Sequence, residues 1–131
     1  MFHSKILSTG MYVPEKVVTN FDLEKIMDTS DEWIQKRTGI VERHWVENNV
    51  STTDLALKAS LDAINKAGID KSQIDLIIFA TLSPDHDFPG GACFLQPKLG
   101  LSGCACLDIR QQCSGFIYGM SVADQFIKTG M

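Results

Sequence analysis

Residues 74–80, Ile-Asp-Leu-Ile-Ile-Phe-Ala, constrain the fold more than any other stretch of this chain. The run is too short for a free-standing helix. Its last five residues are all apolar, as in a strand buried on both faces between layers of helices. The segment before it has the opposite periodicity: Ala56, Ala59, Ala63 and Ala67 recur at helical spacing, which makes one face flat and small. Ser51-Thr52-Thr53-Asp54 opens that helix, with Asp54 at the positive end of its dipole, and Gly68 ends it. Helix, brief loop and buried strand together predict a layered α/β protein. Lys5-Ile6-Leu7-Ser8-Thr9-Gly10 reads as an earlier strand ending at a glycine, and parallel pairing between it and 74–80 is expected.

The remaining elements follow from start and stop signals. Tyr12-Val13-Pro14 reads as an extended loop, and Asn20 as the cap of a short helix with Leu23, Ile26 and Met27 on one face. Thr29 precedes Glu32 by three residues, the spacing of a capping box; the helix behind it carries Trp33, Ile34 and Arg37 and stops at Gly39. Residues 81–91 form a loop with two prolines and two glycines, including His86 and Phe88. A helix-like stretch follows over 92–99, where Pro97 predicts a kink or an end near Gln96. Residues 105–109 supply a third strand. A last helix over 114–128 is expected to turn Phe116, Met120, Ala123 and Ile127 inward and to stop at Gly130. No repeat or Pro/Ser-rich linker interrupts the 131 residues, so one domain over 1–131 is expected.

Charge and cysteine usage narrow the function classes. The net charge of -4 and pI of about 5.2, with Lys and Arg scattered, lack the basic footprint of a nucleic-acid binder. No apolar run approaches the roughly 20 residues of a membrane span, and the first residues do not form a signal-peptide core, so no membrane partner and a cytoplasmic location are expected. Cys93, Cys104, Cys106 and Cys113 are too few for a disulfide scaffold. Cys104-Ala105-Cys106 has the wrong gap for a zinc knuckle and lies at a strand start, which argues against both a metal site and a redox pair.

Cys113 stands apart because Asp108-Ile109-Arg110-Gln111-Gln112-Cys113-Ser114-Gly115 puts a thiol where a strand and short turn meet a helix. Cysteine attacks as the thiolate, and the positive end of a helix favours that anion. Amides exposed there can also hold an oxyanion. Ser114 and Gly115 are small enough for a carbonyl substrate to approach the backbone, and Gly115 with Gly119 leaves a flat face for packing against another helix. On spacing alone, a structural core cysteine at a tight turn is the favoured reading.

Further motifs decide between these alternatives. Asp28-Thr29-Ser30-Asp31-Glu32-Trp33-Ile34, then Arg37-Thr38-Gly39-Ile40 and Glu42-Arg43-His44, resemble the N-terminal signature of β-ketoacyl-acyl-carrier-protein synthase III. The similarity continues in order through Asp75-Leu76-Ile77-Ile78, His86-Asp87-Phe88-Pro89, Leu99-Gly100-Leu101, Cys113-x-Gly115-Phe116 and Ser121-Val122-Ala123-Asp124. The resemblance implies the thiolase-like fold, of which this chain is the N-terminal half of a duplicated α-β-α-β-α layered architecture, with the C-terminal half absent. It implies an acyltransferase of fatty acid biosynthesis whose nucleophile is Cys113. The acyl group would come from an acyl-CoA, commonly acetyl-CoA, and condense with malonyl-acyl carrier protein.

By the same resemblance Thr29, Trp33 and Arg37 lie at the CoA entrance, where an indole and a guanidinium offer stacking faces to a base. Phe88 resembles a residue that crosses a homodimer interface to wall the partner's acyl pocket. None of His3, His44 and His86 is assigned to catalysis, because the family's catalytic histidine and asparagine belong to its C-terminal half; no metal and no permanently bound cofactor are implied. Arg110-Gln111-Gln112 departs from the small residues common before this nucleophile. That departure keeps open a related condensing enzyme with a longer primer. A non-catalytic half-domain acting as a dimerisation module is the alternative from a different class.

Overall fold

The computed structural model describes residues 2–130. They form two compact units: Val13–Val50, and the residues up to Tyr12 together with those from Ser51 onward.

In the smaller unit β1 (Lys16–Thr19) pairs antiparallel with β2 (Glu42–Trp45), with Lys16 opposite Trp45 and Thr19 opposite Glu42. Between them lie α1 (Asn20–Glu24) and α2 (Asp31–Thr38). Neither strand was expected from the sequence, since four-residue strands lie below the length at which alternation is legible. The cap of α1 is Thr19, whose hydroxyl accepts from the Asp22 amide while the Asp22 carboxylate accepts from the Thr19 amide. Bonds from Lys25 first, then from Thr19, hold the Asp22 carboxyl well below the usual carboxylate range.

Asn20, expected as that cap, is instead the first helical residue and fully buried. Its amide nitrogen donates to Asp31 and to the Ile40 carbonyl, both at 2.8 Å, and its oxygen accepts from Arg43 at 2.7 Å. One buried amide thereby ties α1, α2 and β2 together. The helix ends at Glu24, so Ile26 and Met27 fall outside it and are exposed. Ser30 rather than Thr29 caps α2, because its extended backbone brings its hydroxyl to the Trp33 amide at 3.1 Å. Gly39 closes that helix at φ 71°, as its position predicts.

The larger unit contains α3 (Thr52–Ala67), a 3-10 turn at Lys71–Gln73, β3 (Leu76–Ala80), α4 (Gly91–Lys98), β4 (Ala105–Ile109) and α5 (Gly115–Thr129). The parallel partner of β3 is β4, in a register running from Leu76↔Ala105 to Ala80↔Ile109. The segment at Lys5–Gly10 joins neither sheet. It lies along α3: Ser8 donates to the Ala63 carbonyl at 2.6 Å and the Met11 amide donates to Asp62 at 3.2 Å. Ala59 and Ala63 form the part of α3 that it meets, where a Cβ on Gly10 would collide with the Ala59 carbonyl and with Ala63.

Ile77 and Phe79 face one side of the sheet and form the core with Ala92 and Leu95 of α4 and Leu99 just past its end, backed by Ala56, Leu57 and Ile64 of α3. On the other side α5 lies over β3. A Cβ on Gly115 would sit 3.3 Å from that of Ala80, and one on Gly119 would sit 3.6 Å from Ile78. The two glycines therefore serve helix-to-strand packing, not the helix-to-helix packing expected. Phe116, Met120, Ala123 and Ile127 are correspondingly not buried inward. With Leu7, Ile69 and neighbours they line an open groove of about 590 Å³, and Phe116 is 69% exposed. Helix α4 runs past Gln96 to Lys98, with Pro97 inside its last turn.

Asn20→Ala strands the Arg43 donor and the Ile40 carbonyl and should lower stability by about 2 kcal/mol in urea unfolding. Gly10→Ala should cost about 1–3 kcal/mol through overpacking. Gly103→Ala, at a position with open space around it, should leave the midpoint unchanged.

Candidate active site

The strand that ends at Ile109 delivers the chain into a turn at Cys113 and Ser114, and α5 begins at Gly115. Cys113 is exposed there. The turn is held by the Gly115 amide donating to the Gln112 carbonyl at 2.9 Å and the Tyr118 amide donating to the Ser114 carbonyl at 3.0 Å. Helices α1, α2 and α3 each carry a side-chain cap on their first turn, from Thr19, Ser30 and Ser51. No side chain caps α5. Its first turn stays open beside the thiol, an arrangement that can stabilise an anion at or near sulfur. Cys113 also lies beyond the carboxyl end of a parallel strand, where open α/β sheets place ligands.

The other three cysteines differ in setting. Cys93 is exposed, while Cys104 and Cys106 are half-buried. Burial, with Cys93 and Cys104 nearby, pushes the Cys106 thiol up to about 11. Gln96 donates to the Cys104 carbonyl at 2.6 Å, which fixes that thiol's backbone instead of exposing it.

In the Val13–Val50 unit, Trp33 and Arg37 stand one turn apart on α2, with the guanidinium carbon 4.6 Å from the indole centroid. Trp33 is half-exposed, so the two planar groups form a preassembled stacking surface. Thr29 lies just before the Ser30 cap. His44 contacts the Pro14 carbonyl through Nδ1 at 2.5 Å.

Phe88 lies in the loop before α4 and is 90% exposed, so it does not fold back onto its own chain. His86 in the same loop stacks on Phe94 at 4.3 Å between centroids. Asp85 anchors the loop to the start of α3, accepting from the Thr52 amide at 2.6 Å, the Thr53 amide at 3.1 Å and the Thr53 hydroxyl. Partial burial pushes the Asp85 carboxyl up, but the Thr53 and Thr52 donors outweigh it and leave the group below its ordinary value. Asp85 and the buried Thr53 were missed in the sequence, because their partnership joins positions over thirty residues apart.

β-Ketoacyl-[acyl-carrier-protein] synthase III 1 of Vibrio parahaemolyticus is 56% identical to this chain over 129 residues, covering 98% of the chain and 41% of the relative. Over nearly its whole length the chain is thus similar to β-ketoacyl-[acyl-carrier-protein] synthase III. The synthase III of Xanthomonas campestris is 53% identical over 128 residues, again 98% of the chain and 39% of the relative. The model of the 3-oxoacyl-[acyl-carrier-protein (ACP)] synthase III family matches residues 107–131, the stretch that holds Cys113. Among solved structures, the 3-oxoacyl-[acyl-carrier-protein] synthase III of Aquifex aeolicus superposes with a TM-score of 0.91 at 49% identity, covering 96% of the chain and 41% of that structure. The layered α/β architecture expected from the sequence is thus the synthase III fold. The chain spans about two fifths of the length of the curated relatives it matches.

The thiols should separate under native alkylation with iodoacetamide at pH 8, followed by peptide mass mapping. Cys113 and Cys93 should label first. Cys106 should lag, because a thiol pushed to about 11 is ionised in only about one molecule in a thousand at that pH.

Proposed function

We propose that Cys113 is the acyl acceptor of a condensing enzyme that starts fatty acid synthesis. The observation that carries this reading is the place of the thiol: exposed, at the end of β4, before the uncapped start of α5, and within the segment matched by the family model. In the first step the Cys113 thiolate attacks the carbonyl of an acyl-CoA, acetyl-CoA being the simplest primer. The carbon–sulfur bond to CoA breaks, and CoA leaves as the thiolate. Amides at the start of α5 are placed to stabilise the oxyanion formed between these events.

In the whole protein, malonyl-acyl carrier protein then loses carbon dioxide. The resulting carbanion attacks the acyl-Cys113 carbonyl, a carbon–carbon bond forms, and the cysteine departs as thiolate, giving a β-ketoacyl thioester. Neither step calls for a resident cofactor. Trp33 and Arg37 are the proposed landing surface for the CoA base, with Thr29 at its edge, and Phe88 the proposed wall of a partner protomer's acyl pocket in a homodimer. An acyl-CoA, an acyl carrier protein and a second copy of the chain are thus the proposed partners, in the cytoplasm. No helix among the described residues is long and apolar enough to cross a membrane.

Incubation of the 131-residue chain with acetyl-CoA should add one acetyl group by intact mass, and Cys113→Ala should abolish it. Labelling that persists in that variant overturns the assignment. Trp33→Ala should slow labelling by about tenfold at low acetyl-CoA and much less at saturation, since stacking supplies binding and not chemistry.

A further inference from the structure

We infer that Asp108 is a positioning residue: a joint that locks the loop carrying Phe88 to strand β4, and so fixes the acyl length admitted to the partner protomer's pocket that Phe88 walls. The inference rests on the reading of Cys113 as acyl acceptor and Phe88 as pocket wall.

Helix α4 starts at Gly90, a residue with no side chain to cap it. The missing cap comes from a neighbouring strand. Asp108 Oδ2 accepts from the Gly91 amide at 2.6 Å, and Oδ1 accepts from the Ala92 amide at 2.9 Å. Both carboxylate oxygens are thereby engaged by the first turn of α4. Asp108 pairs in register with Phe79, whose ring lies in the core on the face that α4 covers. A carboxylate on this otherwise apolar face is tolerated because it meets the positive end of a helix and two amide donors.

The two glycines make the approach possible. A Cβ on Gly90 would overlap the Asp108 carboxylate, and one on Gly91 would come within 2.9 Å of the Phe79 ring. The loop is also held at Asp85, by the start of α3, and at Asp87, by an Arg110 ion pair of 3.1 Å between exposed groups. Phe88 sits between these anchors, two residues before Gly90 and 90% exposed. Asp108 precedes Cys113 by five residues on the strand that leads into the nucleophile turn. Asp108 therefore ties the end of the loop directly to the thiol's strand. The exposed Arg110–Asp87 pair is too solvated to do so.

The test is Asp108→Asn in the 131-residue chain, which keeps the side-chain shape but presents an amide NH₂ to one of the two N–H groups. Gly90→Ala serves as a second variant, disturbing the same joint from the loop side with the carboxylate intact. Hydrogen exchange read by mass spectrometry should rise in both variants at residues 85–92 and also at the end of β4, 107–110. A rise confined to 91–92 would overturn the joint.

Competition between acetyl-CoA and hexanoyl-CoA for Cys113 should lose about tenfold in selectivity in either variant. Iodoacetamide should still alkylate Cys113 at the unaltered rate, because the thiol's own turn is intact. Unaltered selectivity in a folded Asp108→Asn protein overturns the role of Asp108. Absence of any acylation in the unsubstituted chain overturns the Cys113 reading instead, while the exchange data still decide whether the joint exists.

Discussion

The parallel pairing of β3 with β4 is the constraint on which the larger unit depends. A parallel pair cannot be closed by a tight hairpin; the chain must leave one strand, cross a face and return, and here α4 makes that crossing. Both faces of such a pair need cover. Ile77 and Phe79 on one side are covered by α4 backed by α3, while Ile78 and Ala80 on the other receive α5 through its glycine face. The same pairing aligns the ends of the two strands, so that the loop after β3, with Phe88, and the turn after β4, with Cys113, leave the sheet from one edge.

Polar groups then fix what apolar packing leaves free. Apolar burial is non-directional and sets no loop conformation by itself. Asp85 and Asp108 supply the direction, each using its carboxylate on the amides of a helix start that lies far away in sequence. Asn20 does the same for the Val13–Val50 unit by joining Asp31, Ile40 and Arg43 around one buried amide. Each of these groups satisfies donors or acceptors that would otherwise be buried without partners. Precision near the candidate site comes from these bonds, and the thiol itself is left unencumbered.

Local signals were read well where the physics is local. Ser51 and Asp54 form the capping box of α3, Gly39 and Gly68 adopt the left-handed conformation that ends a helix, and the strand at 105–109 and the helix after Cys113 lie within a residue of their expected bounds. The departures have a common origin. Lys5–Gly10 has strand-like residues but bonds to α3, because the choice between a sheet edge and an alanine-lined helix is made by neighbours distant in the chain. Phe116 and Ile127 carry the right spacing for an inward face, yet the sheet takes the side of Gly115 and Gly119, where closer approach is possible. The two glycines are legible in the sequence, but the face they turn to the sheet is not. Asp108 had a signal too: a helix starting at two glycines has no cap of its own, so a cap must come from elsewhere.

What the sequence determined alone was the order and kind of the main elements of the larger unit, the thiol at a strand-to-helix turn, and the family signature. Capping, periodicity and motif order are properties of neighbouring residues, and a linear reading captures them. Tertiary structure decided which strand pairs with β3, which face of α5 is buried, which carboxylate caps α4 and that Phe88 stands free in solvent. Those outcomes depend on groups brought together from 17 to more than 30 positions apart, such as Asp108 with Gly91 and Asp85 with Thr52. Only the folded chain places them within bonding distance.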